Sequence, residues 1–162
     1  SRHNEYSGKN SLSYFEESSG ERFVPFVIET SAGCDRTVLT LLVDAYDEEE
    51  ERVVLRLPPR LAPVKAGVFP LVKKDGMVEA ARDVYERLRK VHKSFYDEGG
   101  SIGRRYRRQD EVGTPLGITA DGQTVEDGTV TIRERDSMAQ HRVKVEEVTG
   151  WVSRFVEANG KV

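Results

Sequence analysis

Residues 35–46 read as a helix with almost no polar face: Val38, Leu39, Leu41, Leu42, Val43, Ala45 and Tyr46 crowd a short stretch. A helix apolar nearly all round is normally buried between layers. Either residues 52–162 supply those layers or a part of the protein preceding Ser1 does. This choice constrains the fold more than any other feature, and the second alternative would make the chain part of something larger. An acidic block follows at once, with Asp44, Asp47, Glu48, Glu49, Glu50 and Glu51 and no base among them. Like charges repel and resist packing, so the block is expected to be a solvated linker. It divides residues 1–51 from residues 52–162.

Beyond the block the pattern is that of an α/β domain. The apolar run at 52–57 is stopped by Pro58-Pro59, and a second run at 64–72 suits a buried strand. Met77, Ala81, Val84, Leu88, Val91 and Phe95 follow one another at helical spacing, with charged residues between them. Asp75 is the candidate cap and Gly99-Gly100 the expected stop. Residues 101–106 suit a short strand and 107–112 one or two helical turns. Residues 116–120 and 129–134 alternate as strands do, with Asp121-Gly122 and Asp127-Gly128 as turns. Residues 138–143 suit a last strand. Val145, Val148, Val152 and Phe155 mark a terminal helix that Asn159-Gly160 ends. Strands that alternate with helices predict a mixed sheet covered by helices.

Ahead of the apolar helix, residues 1–22 read as a loop, and 23–29 as a short strand that Pro25 makes irregular or an edge. That strand leads into Val27-Ile28-Glu29-Thr30-Ser31-Ala32-Gly33-Cys34-Asp35-Arg36. A carboxylate, a hydroxyl, a glycine and an arginine thus meet at a strand-to-helix turn. Such a cluster can hold an ammonium group beside a polyphosphate. Taken singly, Glu29 could equally be a salt-bridged surface group, Ser31 and Gly33 plain turn residues, and Asp35-Arg36 an ordinary helix start. Cys34 reads as a small buried hydrophobe, since no His lies near it to make it a nucleophile.

Composition excludes several classes. The net charge is −3 and charged residues make up 33% of the 162, so no global basicity announces a nucleic-acid binder. A single cysteine permits no internal disulfide and fits a reducing, cytoplasmic setting. No apolar run reaches membrane-spanning length, and the N-terminal residues do not read as a signal peptide. His3, His92 and His141 show no metal spacing, so no metal site is expected. The one basic cluster, Arg104-Arg105-Tyr106-Arg107-Arg108, could contact phosphates or bases, or pair with Asp110 and Glu111. Arg133 and Arg135, two apart on a strand, would face the same side.

These segments together resemble one family. The 27–36 stretch is similar to motif 3 of class II aminoacyl-tRNA synthetases, in the form found in glycyl-tRNA synthetase. His3, Ser7-Gly8-Lys9 and Tyr14-Phe15 are similar to the segment before that motif. Leu61-Ala62-Pro63 through Pro70-Leu71-Val72-Lys73-Lys74-Asp75-Gly76 resembles the start of the anticodon-binding domain. So do Gly100-Ser101-Ile102-Gly103-Arg104 with the residues up to Pro115, and the stretch from Asp127 to Met138. The resemblance covers nearly the whole chain. It implies a class IIa anticodon-binding domain at 52–162, with a mixed five-stranded sheet and flanking helices. Residues 1–51 would then be the end of a class II catalytic domain.

The resemblance also implies roles. Glu29 would hold the amino group of glycine, Ser31 would line the pocket that excludes larger side chains, and Arg36 would pack on ATP. Thr30 stands where the family usually has proline. Arg104, Arg105, Arg107 and Arg108 would meet tRNA phosphates, while Glu126, Arg133 and Arg135 would read anticodon bases. ATP with magnesium, glycine, glycine tRNA and a homodimer belong to the full-length enzyme. Motifs 1 and 2 have no place in this sequence, so the chain alone is expected to be inactive. A competing expectation is a non-catalytic accessory protein, similar to the synthetase-like processivity subunit of mitochondrial DNA polymerase. A blander one is an α/β domain that only mediates protein contacts.

Overall fold

The computed structural model describes residues 2–8, 12–74 and 76–160. The chain divides into two compact units, Ser1–Cys34 and Asp35–Val162.

The first unit holds a short helix α1 (Arg2–Ser7) and a hairpin of β1 (Tyr14–Glu16) and β2 (Glu21–Phe23). The Gly20 N–H closes the hairpin on the Glu16 carbonyl at 2.8 Å. The rings of Tyr14 and Phe23 meet edge to face at 5.8 Å. The loop expected over 1–22 is therefore corrected. Its Ser, Gly and Glu residues conceal a pair of short aromatic strands. The strand expected over 23–29 is corrected too, because residues 24–33 carry no regular secondary structure. Pro25 lacks an N–H, and no strand among the described residues pairs with this stretch. Phe26, Val27 and Ile28 are consequently exposed.

Helix α2 (Cys34–Ala45) forms as the sequence indicates, but Ala45 is its only buried residue. Val38, Leu39, Leu42 and Val43 face solvent, so residues 52–162 do not cover it. Cys34 is exposed rather than buried. The helix passes directly into a hairpin of β3 (Tyr46–Glu48) and β4 (Val53–Leu55), paired Tyr46 to Leu55. The acidic block is thus one arm and the tip of a hairpin, not a free linker. Arginines from the opposite arm resolve the charge repulsion. Arg56 pairs with Asp47 at 2.6 Å and also with Glu49, while Arg52 grips Glu49 at 2.7 Å.

The remainder is built on a five-stranded sheet in the order β6-β5-β7-β8-β9. Its strands are β5 (Ala66–Pro70), β6 (Ser94–Tyr96), β7 (Leu116–Ala120), β8 (Thr129–Glu134) and β9 (Gln140–Lys144). β5 runs parallel to β6 and β7, and β8 and β9 complete the sheet antiparallel. The helices are α3 (Met77–Leu88), α4 (Ile102–Glu111), α5 (Gly122–Asp127) and α6 (Val148–Glu157), the last entered through a 3₁₀ turn at Val145–Glu147. No helix among the described residues is long and apolar enough to cross a membrane.

The two faces of the sheet are filled differently. Ala81, Val84 and Leu88 of α3 and Val148, Val152 and Phe155 of α6 share one core with Val68, Ile118, Val130 and Ile132. On the other face α4 lies very close. Gly67 and Gly117 stand opposite each other on β5 and β7. A Cβ on Gly117 would come within 2.3 Å of the Tyr106 ring, and one on Gly67 within 2.6 Å of Phe69. The glycine pair is the slot in which those rings meet edge to face at 5.2 Å, and the Tyr106 hydroxyl bonds Thr119 at 2.7 Å.

Three local expectations are corrected. α3 stops at Leu88, well before Gly99, because Val91 and Phe95 fall outside its buried face and are exposed. Residues 94–96 instead add the strand β6 beside β5. α4 is one helix, not a strand followed by turns. Its inward face carries Arg105, Gln109 and Asp110, polar residues that no hydrophobic period reveals. Asp121-Gly122 is a helix start, where Asp121 and Thr124 form a capping box, and Gly128 closes that helix at φ 70. The cap role expected of Asp75 lies outside the described residues.

Candidate functional site

Glu29 and Ser31 are exposed on the irregular 24–33 segment, and Arg36 is exposed on the first turn of α2. The Arg36 carbonyl accepts the Thr40 hydroxyl at 2.9 Å. Glu29 and Ser31 belong to the first unit and Arg36 to the second.

α4 sorts the four expected phosphate-binding arginines onto two sides. Arg104, Arg107 and Arg108 are exposed at i, i+3 and i+4, so they share the outer face. Arg108 is held by Asp97, through Nε at 3.1 Å, and by the Gly99 carbonyl at 2.7 Å. Burial pushes the Asp97 carboxyl up, but Arg108 and the Gly99 N–H outweigh it and hold it below the usual range. Among the described residues no ion pair engages Arg104 or Arg107, so theirs are the available positive charges. Arg105 is corrected. It is 3% exposed and donates to the carbonyls of Pro70, Leu71 and Gly100, which tie the loops after β5 and β6 together.

The expected base readers separate in the same way. Glu126 is exposed on α5, beside the turn into β8. Arg133 and Arg135 are corrected. Arg133 is buried, forks onto Asp110 with both contacts at 3.2 Å, and lies over the Tyr106 ring at 4.7 Å. Arg135 is 1% exposed. It donates to the carbonyls of Leu55, Gly113 and Leu57, each at 2.9 Å, and to Asp136 at 2.8 and 2.7 Å. All five N–H groups of a guanidinium are then used, and none remains for a base.

Asp110, expected to pair with the cluster at 104–108, serves other arginines that the sequence does not connect to it. Asp110 accepts from Arg133 and from Arg52 at 3.0 Å while itself nearly fully buried. Among the described residues no cluster of three His, Cys, Asp or Glu side chains could hold a metal ion.

The second unit is an α/β module, a mixed five-stranded sheet with α3 and α6 on one face and α4 across its parallel strands on the other. The profile of the anticodon-binding domain matches residues 65–155, and the chain belongs to that family. Three curated relatives are called glycine–tRNA ligase. They are 50% identical in Rhodopirellula baltica, 51% in Thermobifida fusca and 52% in Bifidobacterium longum, each over 94% of this chain. The chain spans 30%, 35% and 33% of those relatives respectively, about a third of their length. A solved prolyl-tRNA synthetase from Cryptosporidium parvum, complexed with halofuginone and AMPPNP, shares the fold. Its TM-score is 0.60 at 21% identity, over 65% of this chain and 23% of that one.

Proposed function

We propose that this chain is the tRNA-binding end of a glycine–tRNA ligase, together with its motif 3 segment. The observation that carries the reading is the half-identity to glycine–tRNA ligases over 94% of the chain. In the whole enzyme Glu29 would take the ammonium group of glycine, Ser31 would line the same pocket, and Arg36 would pack on ATP. Their exposure suits groups whose partners lie elsewhere. So does the exposure of Val38, Leu39, Leu42 and Val43 on α2, which the rest of a catalytic domain would cover. Magnesium would come with ATP, and no step is assigned to it through these residues. A homodimer and a cytoplasmic setting complete the proposal. The relatives favour a ligase over an accessory subunit.

Phosphate contacts belong to Arg104 and Arg107, with Arg108 as a weaker contributor because Asp97 holds it. Base contact belongs to Glu126, a carboxylate that accepts from exocyclic amines. The test is binding of a glycine anticodon stem-loop and a scrambled control across a salt series. Arg104→Ala or Arg107→Ala is expected to weaken both RNAs alike and to lower the salt slope by about 1. Glu126→Gln is expected to narrow the difference between the two RNAs. Equal slopes for the parent and both arginine variants would overturn the phosphate assignment. A separate measurement, glycine-dependent ATP–pyrophosphate exchange by the 162-residue chain alone, is expected to show none.

A further inference from the structure

We propose that Arg52 is a positioning residue. With Asp110 and Arg135 it clamps the hairpin that follows α2 onto the anticodon-binding sheet, and so fixes the direction in which α2 leaves that sheet. The inference rests on the ligase reading for its catalytic consequence, but not for its geometry.

Helix α2 cannot hold its own direction, because only Ala45 is buried. What it has is the hairpin. The Arg56 N–H donates to the Ala45 carbonyl at 2.6 Å, and a small apolar cluster of Ala45, Leu57 and Ala62 sits beneath with Leu55. Val54, fully buried, anchors the middle of the hairpin, and the attachments at its two ends are polar. One Nη of Arg52 reaches both Asp110 on α4 and the Arg135 carbonyl, each at 3.0 Å, while its other edge grips Glu49 of the hairpin tip. From the sheet side, Arg135 answers by holding the carbonyls of Leu55 and Leu57. The hairpin is therefore pinned at its tip by Arg52 and at its base by Arg135. Two separated pins resist rotation where one would not.

Arg52 is the member that can be removed without dismantling the domain. When it is lost, Asp110 still has its forked partner Arg133, and Glu49 still has Arg56. No buried charge is left alone, which is what makes the loss of one partner so costly elsewhere. Asp110 and Arg135 have no such replacement.

In a ligase the motif 3 helix and the anticodon-binding sheet must present one tRNA to both ends of the molecule. A hairpin freed at its tip would leave glycine and ATP binding intact and misplace the acceptor end. Misplacement by about an ångström can cost on the order of a hundredfold in rate.

The test has two arms. In the 162-residue chain, with Cys34→Ser, spin labels are placed at Val43 on α2 and at Lys90 beyond α3, both exposed. The distance distribution is expected to be narrow in the parent, broad in Arg52→Met and intermediate in Arg52→Lys. In the full-length ligase, Arg52→Met is expected to lower tRNA-charging kcat/KM by roughly tenfold to a hundredfold while glycine-dependent exchange stays within about twofold. An unchanged distance distribution, or charging and exchange that fall together, would overturn the clamp. A parent that charges no tRNA would sink the ligase reading, and the spin-label arm would still decide the clamp.

Discussion

Helices α2 and α3 are each twelve residues long, and their fates are opposite. α3 has a mean composition more polar than α2, yet it buries Met77, Ala81, Val84 and Leu88 on one stripe against the sheet. α2 is nearly all apolar and buries one residue. What an apolar side chain contributes is set by the surface opposite it, not by its own hydrophobicity. α3 has β5, β6 and β7 beside it in the same chain. α2 has a hairpin at its end and solvent along its length.

That contrast can be broken by mutation. The largest effect is expected where polar burial has no replacement. Arg135→Met should destabilise the chain by about 3–5 kcal/mol, because the carbonyls of Leu57 and Gly113 each lose a donor at about 1–3 kcal/mol, Leu55 keeps only the Leu57 N–H, and Asp136 keeps only Arg56. Urea unfolding by circular dichroism checks this, and a loss below about 1 kcal/mol would mean that Arg135 is not fully committed to the fold.

Next comes the apolar core. Leu88→Ala on α3 removes a side chain with 0% exposure and should cost about 2–5 kcal/mol. Leu39→Ala on α2, at 62% exposure, should stay within about 0.5 kcal/mol in the same assay. Equal losses would show that α2 is covered in solution by something other than this chain's sheet.

Smaller still is the close approach under α4. Gly117→Ala should cost about 1–3 kcal/mol, since the new methyl group meets the Tyr106 ring and the helix must lift. Gly103→Ala, with nothing within 4 Å, should be neutral or slightly stabilising.

The smallest effect is that of pH. Burial raises the Asp136 carboxyl, but Arg135 and Arg56 outweigh it, and Arg142 lowers Asp121. Their folded values lie below the unfolded ones. The stability they contribute is therefore complete above the unfolded carboxylate range near about 4 and is lost as pH falls through the folded values. His92 behaves with the same sign. Burial, then Lys65, lowers it, so its contribution is complete above about 6.5 and declines as the unfolded chain takes up the proton. Thermal melts from pH 8 to pH 3 should show a shallow fall first and a steeper one below about 4. A melting temperature that rises on acidification would contradict both assignments.

Much of this molecule was legible in its sequence. Strands β5, β7, β8 and β9, helices α2, α3 and α6 and the mixed sheet follow from apolar periods and turn residues. These report burial directly whenever the hydrophobic face is the buried face. Where the chain breaks that equation, the reading failed. α4 buries Arg105, Gln109 and Asp110, so its period is polar and reads as a strand and loose turns. The acidic block reads as a linker because its arginine partners lie across a hairpin whose pairing no local pattern announces. Val91 and Phe95 extended a helical spacing by coincidence, and only the open edge of β5 turned that stretch into β6.

The candidate site divides along the same line. The sequence by itself determined which residues carry charge and which family pattern they fall in: Glu29, Ser31, Arg36, Glu126 and the arginine clusters. Only the tertiary structure decided which of those charges are available. Arg104 and Arg107 face outward. Arg105, Arg133 and Arg135 are buried and spend their donors on carbonyls, on Asp110 and on Asp136, because burying a guanidinium is costly unless most of its donors find acceptors. Apart from Asp136 beside Arg135, those acceptors are backbone carbonyls and the Asp110 carboxylate, brought together from segments far apart in the chain, and no local pattern contains them.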